Sequence, residues 1–313
     1  MEYLVVSLLN GVIYGLLLFM VSAGLTLIFG MMGVLNFAHA SFYMLGAYFA
    51  YTLQPLIGFG LSMFVAPVLV GGVGVVVERY FLRRVHQYGH AHELLLTFGL
   101  SFIIAELIKL FFGNFPVDFR IPGSLDFAAF RIGGTDYPFY RVLMGGVAMA
   151  MFGVVYLLLT KTRVGIVVRS AIYRPKMAEA LGHNVPLVFS GVFGVGAALA
   201  GLAGAVAGAF YTTNPNMALE LGVIVFVVVI VGGLGSLGGA MVASLLIGVV
   251  TSLSVGIDLS LADLFAMVGA RDWAESVGGL LTLKISSLSS TIPFALMLLI
   301  LLVRPSGLMG EKG

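Results

Sequence analysis

Residues 4–77 read LVVSLLNGVIYGLLLFMVSAGLTLIFGMMGVLNFAHASFYMLGAYFAYTLQPLIGFGLSMFVAPVLVGGVGVVV, without one Asp, Glu, Lys or Arg. A helix needs about 20 apolar residues to cross a bilayer, so this run holds roughly three crossings joined by uncharged turns. Working outward, further uncharged runs are 142–160, 180–219, 221–257 and 285–303, and 94–113 is apolar apart from Glu106 and Lys109. A bilayer core offers no partner to open strand edges, which leaves helices or closed barrels. A barrel would show alternating segments of about 10 residues, and none occurs. Crossing helices are expected at 5–29, 40–57, 61–78, 93–112, 140–160, 187–211, 219–235, 240–256 and 288–303. The fold class is all-α: a polytopic transmembrane helix bundle of about 8–9 spans with broken or re-entrant helices.

Composition closes off the other classes. Of 313 residues, 60% are hydrophobic and 10% charged, against about 25% charged in soluble domains. A cytosolic enzyme, a nucleic-acid binder and a disordered tail are excluded. The net charge is +2 and cysteine is absent, so disulfides, thiolate catalysis and Cys-ligated metals are excluded too. Glu2 stands where a cleavable leader would be basic, and the apolar run outlasts an h-region, so no leader is expected. Residues 1–313 read as one membrane domain, because the two long polar loops, 113–141 and 255–287, are too short for cores of their own.

Orientation follows from the basic residues, which favour the cytoplasmic side. Arg79, Arg83 and Arg84 share one loop. Lys161, Arg163, Arg169, Arg174 and Lys176 share another, and Arg304 and Lys312 lie in the tail. Loops 113–141 and 255–287 carry Arg120, Arg131, Arg141, Arg271 and Lys284 against more acids. The basic loops are placed inside and these two outside. Nine spans then put the N-terminus outside and the C-terminus inside.

Five features stand out from the oil. Asn36, His39 and Ser41 follow Gly30 and Gly33. They make either a short polar turn at the cytoplasmic face or a helix break at membrane depth, which is tolerated only beside protein or a watery cavity. In 232–239, VGGLGSLGGA less its flanks, five of eight residues are glycine: Gly232, Gly233, Gly235, Gly238 and Gly239, with Ser236 among them. No Lys-Ser/Thr follows, so this is no phosphate-binding loop. It is either a tight helix contact or a broken helix facing a transport route. The two interruptions fall in the two halves of the chain, as an internal repeat would place them. Gly196, Ala200, Gly204 and Gly208 form a small-residue stripe for close packing in lipid. Finally, the basic loop 161–186 is long, and Pro175–Gly182 within it has proline where a helix starts and glycine just past its end. Met177 and Leu181 share a face. Two turns of helix are unstable alone, so this one docks either on the protein's own membrane face or on a soluble partner. Glu106 and Lys109 mark either an ion path or a snorkelling lysine at the outer end.

These residues resemble a known family. GLTLIFGMMGVLNFAHASFYMLGAY at 24–48, KTRVGIVVRSAIYRPKMAEALGHNVPLVFSGVFGVGAALAGLAGAVAG at 161–208, GGLGSLGGAMVASLLIG at 232–248 and RPSGLMGE at 304–311 are similar, in the same order, to the permease subunits of branched-chain amino acid ABC importers. The short chain looks more like the first of the two paralogous permeases. The resemblance implies a multi-pass subunit of the bacterial inner membrane. It would pair with a paralogous permease, be driven by two cytoplasmic ABC ATPases and receive cargo from a periplasmic binding protein, with no nucleic acid involved. It implies that Arg174, Pro175, Met177, Ala178, Glu179, Ala180, Leu181 and Gly182 contact the ATPase, although Glu179-Ala180-Leu181 keeps the general importer signature only in part. Asn36, His39, Ser41, Gly232, Gly233, Gly235 and Ser236 are the candidates for the translocation path. Loop 255–287, with Trp273 between Asp272 and Ala274, is expected near the surface where the binding protein docks.

The implied activity is ATP-driven import of leucine, isoleucine, valine or another hydrophobic amino acid. No Walker A sequence and no nucleophile–base pair is present, so the chain is expected to be no enzyme and to use no cofactor or metal. The alternatives are an ABC permease for urea, amides or other amino acids, an ion-coupled secondary transporter, and a passive channel. An ion-coupled carrier needs ionisable groups inside the bundle, and residues 4–77 supply none.

Overall fold

A computed structural model describes residues 2–256, 260–266, 271–279 and 282–310. Glu311 and Lys312, and residues 257–259, 267–270 and 280–281 of the second polar loop, lie outside the described residues. All nine expected helices occur. They are α1 (Glu2–Met32), α2 (His39–Ile57), α3 (Phe59–Val77), α5 (His90–Phe112), α6 (Phe139–Lys161), α9 (Val185–Gly208), α10 (Met217–Gly232), α11 (Leu237–Gly256) and α14 (Ile292–Val303). α3 runs on through a π turn at Glu78–Leu82 and the single turn α4 (Arg83–Val85). Among the described residues, six apolar helical stretches are long enough to cross a membrane: Leu4–Met32, Phe59–Tyr88, His90–Phe112, Phe139–Lys161, Val185–Gly208 and Leu237–Gly256. The protein is a polytopic helix bundle, and α10 and α14 are its shorter apolar helices.

The bundle has two ends. At the basic end, Met31 of α1, Val168 and Val192 pack together, and Arg83 donates to the Pro186 carbonyl at the start of α9. At the other end, the Ser252 hydroxyl of α11 donates to the Ser7 carbonyl of α1, and Val117 pairs with Thr213. Ser7 and the tail at Leu308, which bonds to Val231 at the close of α10, therefore sit at opposite ends.

α9 is the hub, and its glycines explain why. Gly196 lies against Gly24 of α1, Gly201 against Gly46 of α2, Gly194 against Gly71 of α3, and Gly204 against the Tyr43 backbone. Without side chains in the way, four backbones approach closely, which lets dispersion hold helices that gain nothing from hiding oil in lipid. The contacts are reciprocal. α1 packs on α11 as α9 packs on α3, and α2 packs on α3 as α10 packs on α11. The triplets α1–α2–α3 and α9–α10–α11 therefore occupy equivalent places.

Five further elements were not expected, two strands and three helices. Gly133 and Gly134, both with positive φ, turn an antiparallel hairpin of β1 (Ala128–Ile132) and β2 (Thr135–Pro138). A two-residue Gly-Gly turn is a hairpin signal. α7 (Arg163–Tyr173) starts where the Thr162 side chain accepts from the Gly165 amide, and it seats Val168 and Ala171 on the bundle. α12 (Leu261–Ala266) and α13 (Arg271–Val277) lie in the second polar loop, where Trp273 meets Phe265 edge-on at 5.7 Å.

Candidate functional site

The site begins with the break between α1 and α2. α1 ends at Met32, but the His39 Nε2 lies 2.9 Å from the Val21 carbonyl. Eleven helical residues separate Val21 from Met32, which at 1.5 Å each is about 16 Å. Residues 33–38 thus fold back into the bundle, and α2 starts at depth. The turn at the cytoplasmic face, one of the two readings of this stretch, gives way to the re-entrant one. The Asn36 Oδ1 accepts from the Ala38 amide at 3.0 Å, and the Phe37 amide donates to Thr97 Oγ1 of α5 at 3.2 Å.

Asn36, His39 and Ser41 are all fully buried. Yet Asn36 Nδ2, His39 Nδ1 and Ser41 Oγ have no hydrogen-bond partner among the described residues. Buried polar atoms are nearly always paired, so three open ones within six residues set this helix start apart from the rest of the bundle. Ser41 also lines an apolar cavity of about 340 Å³ between α2, α5 and α10, walled by Phe37, Phe98, Phe102, Gly222 and Phe226. Phe37 sits 4.7 Å from the Phe226 ring.

The second break is built without polar side chains. Gly233 ends α10 with φ +101° and Gly235 follows with φ +83°, a backbone that residues with a Cβ rarely adopt. Ser236 then caps α11, its Oγ accepting from the Gly239 amide at 3.1 Å. The freed carbonyls are met by the tail: the Leu308 amide donates to Val231 O at 2.8 Å and the Met309 amide to Gly232 O at 3.0 Å. A Cβ on Gly235 would come within 3.0 Å of the Gly30 Cα, so the two breaks touch. A cavity of about 500 Å³ opens here at the basic end, lined by Phe29, Gly30, Leu234, Ser236 and Pro305. Ile230 lines both this cavity and the apolar one, so the two follow one another along α10.

The small-residue stripe lies elsewhere. Gly196 faces α1, Gly204 the α2 backbone, and Gly208 meets Ala47, Thr213 and Phe119. Ala200 is buried with them. α8 (Pro175–Ala180) forms the short helix in the basic loop, two residues shorter than the stretch to Gly182, which has φ +86°. Ala178 is buried against Ala171 and Val185, whereas Met177 is 54% and Leu181 74% exposed. Arg174, Pro175, Lys176 and Ala180 surround Met177. Glu179 sits on the same short helix. Glu106 pairs with Lys109 at 2.7 Å on the exposed side of α5.

Sequence reading missed two buried acids at the basic end. Glu78 accepts from Arg83 Nε at 3.1 Å and Nη2 at 2.9 Å and from the Ser190 hydroxyl. Since Arg83 also holds the Pro186 carbonyl at 2.8 Å, this network ties α3 to the end of the basic loop. Glu93 is held by His86 and His90. An acid at each end of an apolar run was the signal; the charges there were read only for orientation.

Residues 7–301 match the family described as branched-chain amino acid transport system / permease component. The chain belongs to this family. Among curated relatives, BraD, the high-affinity branched-chain amino acid transport system permease protein of Pseudomonas aeruginosa, is 27% identical over 97% of this chain and 95% of its own. The LivH permease of Escherichia coli is 28% identical over 99% and 96%, and a probable LivH of Methanocaldococcus jannaschii 29% over 78% and 79%. No solved structure matches. The protein is thus a multi-pass transport permease. It carries the broken helices of its fold side by side.

Proposed function

We propose that this chain is half of the membrane pore of an ATP-driven importer of branched-chain or other hydrophobic amino acids. It pairs with a paralogous permease, is driven by two ABC ATPases at the basic, cytoplasmic end, and receives cargo from a periplasmic binding protein at the other. The observation that supports this best is the polar start of α2, buried at membrane depth beside an apolar cavity. The helix N-terminus suits a carboxylate, Asn36, His39 and Ser41 can replace a zwitterion's hydration, and the cavity takes an aliphatic side chain. From there the way out runs along α10, past Ile230, to the Gly232–Ser236 break.

The exposed Met177 on α8 and Leu181 just past its end are the grip for the ATPase, with Glu179 beside them. The Glu78–Arg83–Ser190 network carries a push on that loop into α3. The substrate class rests on the names of the relatives and on the apolar lining. The test is leucine uptake and ATP hydrolysis by the assembled transporter in proteoliposomes. Glu179→Lys with Leu181→Asp is expected to leave assembly of the membrane subunits intact and to lower uptake per ATP hydrolysed at least tenfold. Unchanged coupling, or uphill uptake by this chain alone, would overturn the reading.

A further inference from the structure

At the end opposite the basic loops, α1, α6, α11 and the 209–216 connection enclose a cavity of about 500 Å³. Its lining is of three kinds. Val6, Ile13 and Val255 are apolar, Asn10, Tyr14, Tyr211 and Thr251 are polar, and Arg141 is the one charged residue among those that line it. Arg141 opens α6, and its Nη1 donates to Asn10 Oδ1. Its guanidinium lies 5.0 Å from the Phe210 ring and 5.7 Å from the Tyr137 ring. Those rings strip water from it and fix its plane, while no acid among the described residues pairs with it. Of the arginines of this end whose side chains are described, Arg120 and Arg131 are exposed and pair with Asp118 and Asp136. Thr251 Oγ1 is buried and has no hydrogen-bond partner among the described residues.

A guanidinium has five N–H donors in a planar fork that matches a carboxylate. Held between rings, with one described bond, it is a preorganised anion receptor. The neutral polar groups around it suit an ammonium, and the apolar wall suits a short aliphatic side chain. A cavity of a few hundred Å³ is the usual size for a small ligand. We propose that this cavity is the receiving subsite for cargo: Arg141 holds the α-carboxylate of an aliphatic amino acid while Val6, Ile13 and Val255 face its side chain. The subsite deepens the importer reading and rests on its orientation, with the Arg141 end outside.

The experiment uses the whole transporter in nanodiscs without binding protein, and photo-leucine, a diazirine analogue of leucine, as the probe. Mass spectrometry is expected to place the cross-link on the segments around Val6, Ile13 and Val255. Excess leucine should suppress it. Leucinol, which keeps the side chain and ammonium but has no carboxylate, should not. Arg141→Gln is expected to cut labelling at least fivefold and Arg141→Lys to keep part of it. Thr251→Val, which leaves the stacked arginine in place, should cut it about twofold. Where Arg141→Gln fails to assemble, the leucinol competition on the wild type and Thr251→Val decide. Equal competition by leucinol, labelling indifferent to Arg141→Gln, or no labelling of these segments would each overturn the subsite. ATP-driven leucine uptake by the same wild-type preparation tests the importer reading separately.

Discussion

The two helix breaks lie against each other at Gly30 and Gly235, yet they solve the same problem in opposite ways. A break at membrane depth frees backbone groups and must satisfy them. At the glycine break the chain does so itself: Ser236 caps α11 and two tail amides meet the carbonyls that α10 gives up. At the α1–α2 break it brings in side chains instead, and leaves Asn36 Nδ2, His39 Nδ1 and Ser41 Oγ open. A closed break is architecture. An open one leaves buried bonding capacity unused among the described residues, at a cost in stability, and in the proposed importer that capacity is spent on passing cargo.

The sharpest way to break this contrast is at the glycine side. Gly235→Leu forces a side chain into a left-handed backbone, costing about 1–2 kcal/mol, and pushes it into Gly30, costing about 1–3 kcal/mol more. Assembled protein measured by size-exclusion chromatography should fall severely, whereas a normal yield would show that the breaks need not touch. On the polar side, His39→Leu keeps the bulk and removes the ring nitrogens. It should leave melting within about 1 kcal/mol of wild type, since one neutral hydrogen bond is at stake, and lower leucine uptake about tenfold. Equal uptake would make the open polar groups structural after all. The smallest effect is expected from Met309→Pro, which deletes the amide bonded to Gly232. It should cost about 1 kcal/mol of thermal stability and leave uptake within twofold, because this break is not where cargo bonds.

Much of the bundle was legible because lipid enforces a single rule: every crossing must be long and apolar. The uncharged runs therefore marked all nine helices. The reach of residues 33–38 was not legible, since NFAHAS is compatible with a surface turn as well as with a segment folded inward. What decides it is the meeting of His39 with the Val21 carbonyl, a contact between two helices that no pattern within NFAHAS encodes. α7 escaped notice because it lies within the run of basic residues from Lys161 to Lys176, which was read as a loop. The Glu78 carboxylate looked like a loop charge because its partners, Arg83 and Ser190, are respectively near and very far in sequence. Asn36, His39 and Ser41 stood out as the only polar cluster in oil, but sequence gave no hint that Ile230 would join their cavity to the one at the basic end.

The pairing of Leu308 and Met309 with Val231 and Gly232 also sets an order of events in biosynthesis. α10 and α11 leave the ribosome well before residues 304–310 do. Until the latter are made, the two carbonyls face the aqueous side with only water to answer them. The two bonds that close the glycine break can therefore form only after α14 and the tail beyond it have been made.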